Sequence, residues 1–182
     1  LEVDSASCLA LIIIPTVSSS KRNYIPVGYL DSKSLIVAPN QAIYNAEPWI
    51  LSLLSSKMHM AWVKTFAGRL KTDYRYSSNL CYNTFAFPTI SKQRKEELTQ
   101  CALRIIGERL MYSETTLAEL YDPKKMPKTL EDAHHQNDLA VEQCYRAVPF
   151  SNDNERITYL INFHEKMIEE EKFQNTLFAK EK

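Results

Sequence analysis

The sequence predicts an α+β fold, a small and mainly antiparallel sheet with one helix packed on it, followed by a C-terminal helical bundle. Three observations predict it. Short runs dense in Leu, Ile, Val and Tyr, separated by polar or Pro-bearing loops, occupy the chain as far as Ala38; a breaker-poor segment runs from Pro48 to Ala67; and beyond Pro88 apolar residues recur at helical spacing.

Leu9 to Val17 reads as a buried strand, because β-branched and aliphatic residues run unbroken to a Ser-rich turn. Tyr24 to Leu30 and Ser34 to Ala38 read as two more, with Pro15, Pro26 and Pro39 at strand ends, where a missing N–H does least harm. Ser18 to Asn23 is a polar, basic loop between the first two strands. Pro48 suits a first helical turn, and Gly68 is placed to stop that helix. Arg69 to Pro88 reads as irregular, aromatic and basic. Ser91 is an N-cap for a stripe of Leu98, Ala102, Ile105 and Ile106; Thr116 to Tyr121 makes a short helix; two further stripes run from Leu130 to Val148 and from Ile157 to Ile168.

The chain of 182 residues, 45% hydrophobic and 24% charged with 3 Gly and 8 Pro, has the composition of a globular protein rather than a disordered or fibrous one. Its formal charge of zero hides an asymmetry: residues 1–90 hold eight basic groups against five acids, a net of +3, and the remainder is −3. A basic first half can face a polyanion. The cysteines Cys8, Cys81, Cys101 and Cys144 never form the close pairs of a zinc site and read as reduced thiols. Trp49 to Phe66 is interrupted by Lys57, His59 and Lys64, which argues against a membrane span, and no signal peptide precedes it; a cytoplasmic location is expected. The chain opens on Leu close to a strand, as a segment of a longer polypeptide would.

No catalytic constellation assembles. His134 and His135, flanked by Asp132 and Asp138, have metal-ligand chemistry, but adjacent residues on a helix point roughly 100° apart, so one His should face the core and the other solvent, with no metal held. His59 reads as a packed or surface histidine. Three glycines cannot build a phosphate-cradling loop. The loop from Ser18 and the run from Arg69 to Ser77 differ, because they combine cations for phosphates with hydroxyls and amides for base edges. The competing reading is that Arg69, Lys71 and Arg75 pair with Asp73 and other carboxylates.

The run Gly68-Arg69-Leu70-Lys71-Thr72-Asp73-Tyr74-Arg75-Tyr76-Ser77, with Ser55 to Lys64 before it and Tyr82-Asn83-Thr84-Phe85-Ala86-Phe87-Pro88 after it, resembles the MmeI-like family of type IIG restriction-modification enzymes. Pro15 to Pro26 is similar to a loop in that family's target recognition domain, and Leu117 to Pro123, with Met126-Pro127 and Ala133-His134, to the start of its helical C-terminal part. Ser20-Lys21 and Phe66-Ala67 depart from the family pattern. The resemblance implies that residues 1–90 are the end of a target recognition domain and residues 91–182 a helical C-terminal domain of a bacterial enzyme. The parent would carry a nuclease and an S-adenosylmethionine-dependent adenine-N6 methyltransferase upstream, partners of this segment within one polypeptide, with double-stranded DNA as substrate. No methyltransferase or nuclease motif lies in the chain, so catalysis and the cofactor belong outside it. Ser18, Ser19, Lys21, Arg22 and Tyr24 are the expected reading loop, with Asn40 beside them, and Arg69, Lys71, Tyr74 and Arg75 the expected backbone contacts. A helical module that docks another subunit of a DNA-modifying complex is the alternative.

Overall fold

The computed structural model describes residues 10–31 and 33–180, with side chains to Phe173; Cys8 and Leu9 lie outside the described residues. The fold is α+β, as the sequence predicts, but its strands form two sheets. Strands β1 (Ala10–Ile14), β3 (Gly28–Asp31) and β4 (Gln41–Tyr44) make an antiparallel sheet with β1 in the middle. Strands β2 (Val17–Ser18), β5 (Gly68–Leu70) and β6 (Asp73–Arg75) make a second, with β6 in the middle.

The expected strand from Leu9 to Val17 is therefore divided. Pro15 has no N–H for a ladder, and the chain changes sheets across Pro15-Thr16, where the Thr16 carbonyl accepts the Tyr76 N–H at 2.7 Å. Ser34 to Ala38 is not a strand. The Asp31 carboxylate captures the Lys33 N–H and the Ser34 hydroxyl, a local turn that competes with a ladder, and the edge of β1 is taken by β4 instead. Arg69 to Pro88 is more regular than expected, since it contributes the β5–β6 hairpin and a π-helical turn at Ser78–Tyr82.

The helix expected from Pro48 to Ala67 is two: α1 (Pro48–Leu54) and α2 (Lys57–Phe66). Ser56 breaks it, extended at φ −101°, ψ 162°, while its hydroxyl accepts the His59 N–H and donates to the Leu53 carbonyl. The C-terminal stop falls at Ala67 rather than at a left-handed Gly68, which opens β5. Next come α3 (Lys92–Leu110), capped by Ser91 as expected, α4 (Leu117–Leu120) with a Thr116/Glu119 capping box, α5 (Lys128–Glu142) and α6 (Asp153–Lys180).

The long helices do not pack only on one another. Helix α3 lies between α1 and α5, and α6 lies along α2. Helices α1 and α2 thus sit in the centre, with Leu51, Leu54, Met60 and Val63 against the strand residues Ile12 and Ile14 and the loop residue Ile25, and Leu53, Met58 and Trp62 against Leu98, Val141 and Leu160. A third cluster joins Tyr24 to Ile105, Leu120 and Leu130. All three clusters draw on residues from both sides of Pro88, so one continuous core serves the whole chain. The connection from α5 to α6 is tied by a buried ion pair, Glu142 with Arg156 at 2.7 Å, whose second oxygen accepts the Phe150 N–H. Val148, expected on an inner stripe, stands exposed on that connection.

Close packing between β1 and β3 depends on Gly28. A Cβ there would stand 2.5 Å from Ile13 Cγ2 on the paired strand. Gly28→Ala should therefore destabilise the protein by about 1–3 kcal/mol in urea unfolding. The same change made in an Ile13→Ala background should cost less, because the obstructing methyl is gone.

Candidate nucleic-acid interface

The loop and the hairpin expected to meet DNA lie against each other. Register within the second sheet puts Val17, Arg75 and Gly68 on one face and Ser18, Tyr74 and Arg69 on the other. Ser18 and Tyr74 face inward and are buried. Arg75 points outward, with Val17 and Leu70 exposed on the same face. The Lys71-Thr72 turn closes the hairpin, Lys71 adopting a positive φ of 56° with its side chain in solvent.

The Ser18–Asn23 loop folds back on this hairpin through the Ser20 N–H, which the Asp73 carboxylate accepts at 3.2 Å. Arg22 N–H closes the loop on the Ser19 carbonyl. Lys21 is left exposed near the hairpin turn that carries Lys71. At the opposite end of the sheet, Gln41 Nε2 donates to the Tyr76 carbonyl and Thr16 to the Pro39 carbonyl, which brings the exposed Asn40 beside the end that bears Arg75. Lys21 and Lys71 thus stand exposed toward the turn end of the hairpin and Arg75 and Asn40 toward the other, with Ser19 half-buried.

Among the described residues none of Lys21, Arg22, Arg69, Lys71 and Arg75 forms an ion pair. Asp73, the expected acidic partner, is occupied by the Ser20 amide. The salt-bridge reading of these cations therefore fails. Arg69 has other partners: its guanidinium lies 4.2 Å over the Tyr74 ring and donates to the Thr72 and Lys64 carbonyls. Arg22 spans two segments, from Ser18 Oγ to the Ala118 carbonyl at 3.0 Å.

Ser18, Tyr24 and Tyr74 are corrections to the expected contact set, since all three are buried. The Tyr24 ring stacks on His134 with centroids 4.1 Å apart, and its hydroxyl donates to Asp138 at 2.7 Å. Tyr74 serves as the platform under Arg69. Sequence reading missed the polar network behind Tyr24, although its signal was available: His134, Asn137 and Asp138 fall on the apolar stripe of α5. They meet the α1–α2 break. His134 Nδ1–H donates to the Ser55 carbonyl, Asn137 to the Ser52 carbonyl, and Asp138 accepts the Lys57 N–H at 2.7 Å. With Nδ1 donating, His134 Nε2 accepts the Tyr121 hydroxyl at 2.6 Å, whose oxygen in turn accepts from Arg109. His135, by contrast, is exposed, so the expected division of the two histidines holds. His59 is buried against Phe85, its Nε2 3.0 Å from the Tyr76 hydroxyl. No group of three or more His, Cys, Asp or Glu able to hold a metal occurs among the described residues. No described helix is long and apolar enough to cross a membrane. Cys81, Cys101 and Cys144 are free thiols, the first buried and the others half-buried.

Comparison with known proteins decides the family. The target recognition domain of MmeI matches residues 2–89, and the MmeI C-terminal domain matches residues 90–170. The chain belongs to the MmeI family. It is 46% identical over 158 residues to DNA methyltransferase A of Bacillus subtilis (strain 168), a match covering 87% of this chain and 18% of that protein. Its fold resembles the solved structure of the type IIL restriction-modification enzyme MmeI in complex with DNA, with a TM-score of 0.84 and 36% identity over 88% of this chain and 22% of the MmeI chain. The chain spans about a fifth of the length of these relatives.

The buried network makes stability pH-dependent. Burial, with Arg109 nearby and opposed by the Ser55 bond, lowers the His134 pKa to about 3, and burial lowers that of His59 to about 3. An unfolded histidine titrates near 6.5, so each imidazole favours unfolding as pH falls from about 6.5 toward 3. Asp138 acts in the opposite sense, because burial raises it from 3.8 to about 6 against the pull of Tyr24 and Lys57, and the folded chain holds an extra proton between those values. The histidines win by one proton. Between pH 6 and 4 the free energy of urea unfolding should fall, by about 1 kcal/mol per pH unit, with the lowered carboxyls of Asp153, Glu119 and Glu155 adding to the loss toward pH 4; a flat or rising free energy would contradict this balance.

Proposed function

We propose that this chain carries out sequence-specific recognition of double-stranded DNA as the C-terminal part of a bacterial restriction-modification enzyme of the MmeI kind. The observation that carries the reading is the surface shared by the Ser18–Asn23 loop and the β5–β6 hairpin, where Lys21, Lys71 and Arg75 are exposed without an acidic partner. Unpaired cations fixed on a short sheet suit a phosphate backbone, since no internal ion pair must be broken on binding. Ser19, Lys21 and Asn40 are the groups placed for base edges, Lys71 and Arg75 those for phosphates. Arg22 lies among them with its guanidinium already held by Ser18 and Ala118, and Arg69 holds the hairpin through Tyr74 while its charge remains at the surface. Ser18, Tyr24 and Tyr74 act from beneath.

Both relatives are described in words that support this. One is named a DNA methyltransferase, and the other was solved as a restriction-modification enzyme with DNA. The enzyme carrying this chain is then an S-adenosylmethionine-dependent adenine methyltransferase, with or without a nuclease, acting in the bacterial cytoplasm. Its cofactor is assigned to the upstream domain. Gly28 is within β3, Gly68 opens β5 and Gly107 lies within α3, so none sits in a strand-to-helix loop that could approach a nucleoside or its carboxylate tail. The chemistry belongs to the upstream methyltransferase domain of the same polypeptide.

Equilibrium binding of the complete polypeptide to a duplex containing its modification site, across a salt series, tests the reading. Arg75→Ala and Lys71→Ala should each weaken binding and reduce the magnitude of the slope of log K against log salt by about 1. Unchanged affinity and slope in both variants would overturn it. Arg69→Ala should reduce the slope less, because much of its guanidinium is committed to Tyr74 and two carbonyls.

A further inference from the structure

The loop that faces DNA in the function proposed above is held by the hairpin and, from below, by residues beyond Pro88. Three attachments fix it: Ser20 to Asp73, Arg22 to the Ala118 carbonyl, and Tyr24 to Asp138. The last is the deepest. Tyr24 is 4% and Asp138 3% exposed, and one carboxylate oxygen takes the tyrosine hydroxyl at 2.7 Å while the other takes the Lys57 amide, also at 2.7 Å. Asp138 therefore links the end of the loop to the first turn of α2 through a single planar group. Lys57 Nζ, 3.6 Å away, supplies the nearest compensating charge, and Glu142 stands one turn further along α5.

We infer that Asp138 is a positioning residue for DNA reading, acting through Tyr24 to set where the Ser18–Asn23 loop stands over the hairpin. This rests on the function proposed above. Capping the Lys57 amide gives Asp138 a reason in the packing of α2, but that needs only one carboxylate oxygen and does not require the bond to Tyr24. What the bond adds is direction. The stacked Tyr24 ring could slide along the His134 face, and the hydroxyl–carboxylate bond selects one position for it. Tyr24 is two residues from Arg22 and three from Lys21, so a shift in its ring moves the loop with it. Neither Tyr24 nor Asp138 can touch DNA from its buried site, and any effect on recognition must pass through the loop.

The test uses the complete polypeptide with two duplexes, one containing the site it modifies and one of shuffled sequence, each titrated over a range of salt. Tyr24→Phe keeps the ring and removes the bond. It should weaken site binding about tenfold and leave shuffled-duplex affinity and both salt slopes within about twofold. Asp138→Asn keeps an acceptor for the Lys57 amide and loses the charge behind the Tyr24 bond, so it should lower discrimination in the same direction, and Tyr24→Phe should add little in an Asp138→Asn background. Undiminished discrimination in Tyr24→Phe overturns the inference, as does an equal loss on both duplexes, which would mark a purely structural role. A wild-type protein that binds both duplexes alike overturns the proposed function and this inference with it. Should Asp138→Asn fold poorly, amide exchange in Tyr24→Phe decides: faster exchange at Ser20 to Asn23 with α5 unchanged supports the inference, and an unchanged loop overturns it.

Discussion

The break between α1 and α2 is the constraint on which the rest of the structure depends. Interrupting a helix in the middle of a core leaves carbonyls at one end and amides at the other with no intrahelical partner, and no water is available to serve them. Helix α5 meets this need with three side chains. His134 and Asn137 take the Ser55 and Ser52 carbonyls, and Asp138 takes the Lys57 amide. The carboxylate also suits the partial positive charge at the start of α2. Because those three residues lie on one face of α5, the break fixes both the rotation and the height of that helix, and through Tyr24 and Tyr121 it reaches the loop, α4 and Arg109.

The division of labour at the proposed interface follows. Inward residues of the second sheet and the loop, namely Ser18, Tyr24 and Tyr74, are committed to packing and hydrogen bonds, while Lys21, Lys71 and Arg75 project without acidic partners. Exposed cations on a short hairpin cost little to keep apart in water, and their mutual repulsion is relieved by a polyanion. The same arrangement explains why a formal charge of zero says little about this surface: the acidic excess beyond Pro88 is largely spent on helix surfaces and on pairs such as Glu142 with Arg156 and Glu155 with Arg146.

Much of the fold was legible in the sequence because it rests on periodicity. The Leu98 to Ile106 stripe, the Ser91 cap and the short helix ending at Tyr121 are local features that appear in place, whereas the stripe from Leu130 leaves its helix after Glu142, short of Val148. What was not legible depends on partners distant in the chain. Ser34 to Ala38 has strand composition, yet whether it pairs is decided by which segment reaches the open edge of β1, and β4 does. Ser55-Ser56 looks harmless within an apolar helix, and only the facing side chains of α5 make a break there affordable. At the proposed site, residue type picked out cations that stand exposed, but Ser18, Tyr24 and Tyr74 have the same chemistry in or out of the core, and burial alone separates them from the exposed groups.

The continuous core has a consequence for how such proteins diverge. Leu98, Ala102 and Ile105 on one side of Pro88 complete the packing of residues such as Leu53, Ile12 and Tyr24 on the other. Recombination between lineages at that point would join mismatched halves of three clusters at once, so the two segments should be inherited together. In the loop tip, Arg22 is tied to Ala118 by its side chain, whereas Lys21 is exposed and can change without disturbing either half. Inheritance as a block and drift at one solvent-facing bend are two outcomes of the same packing.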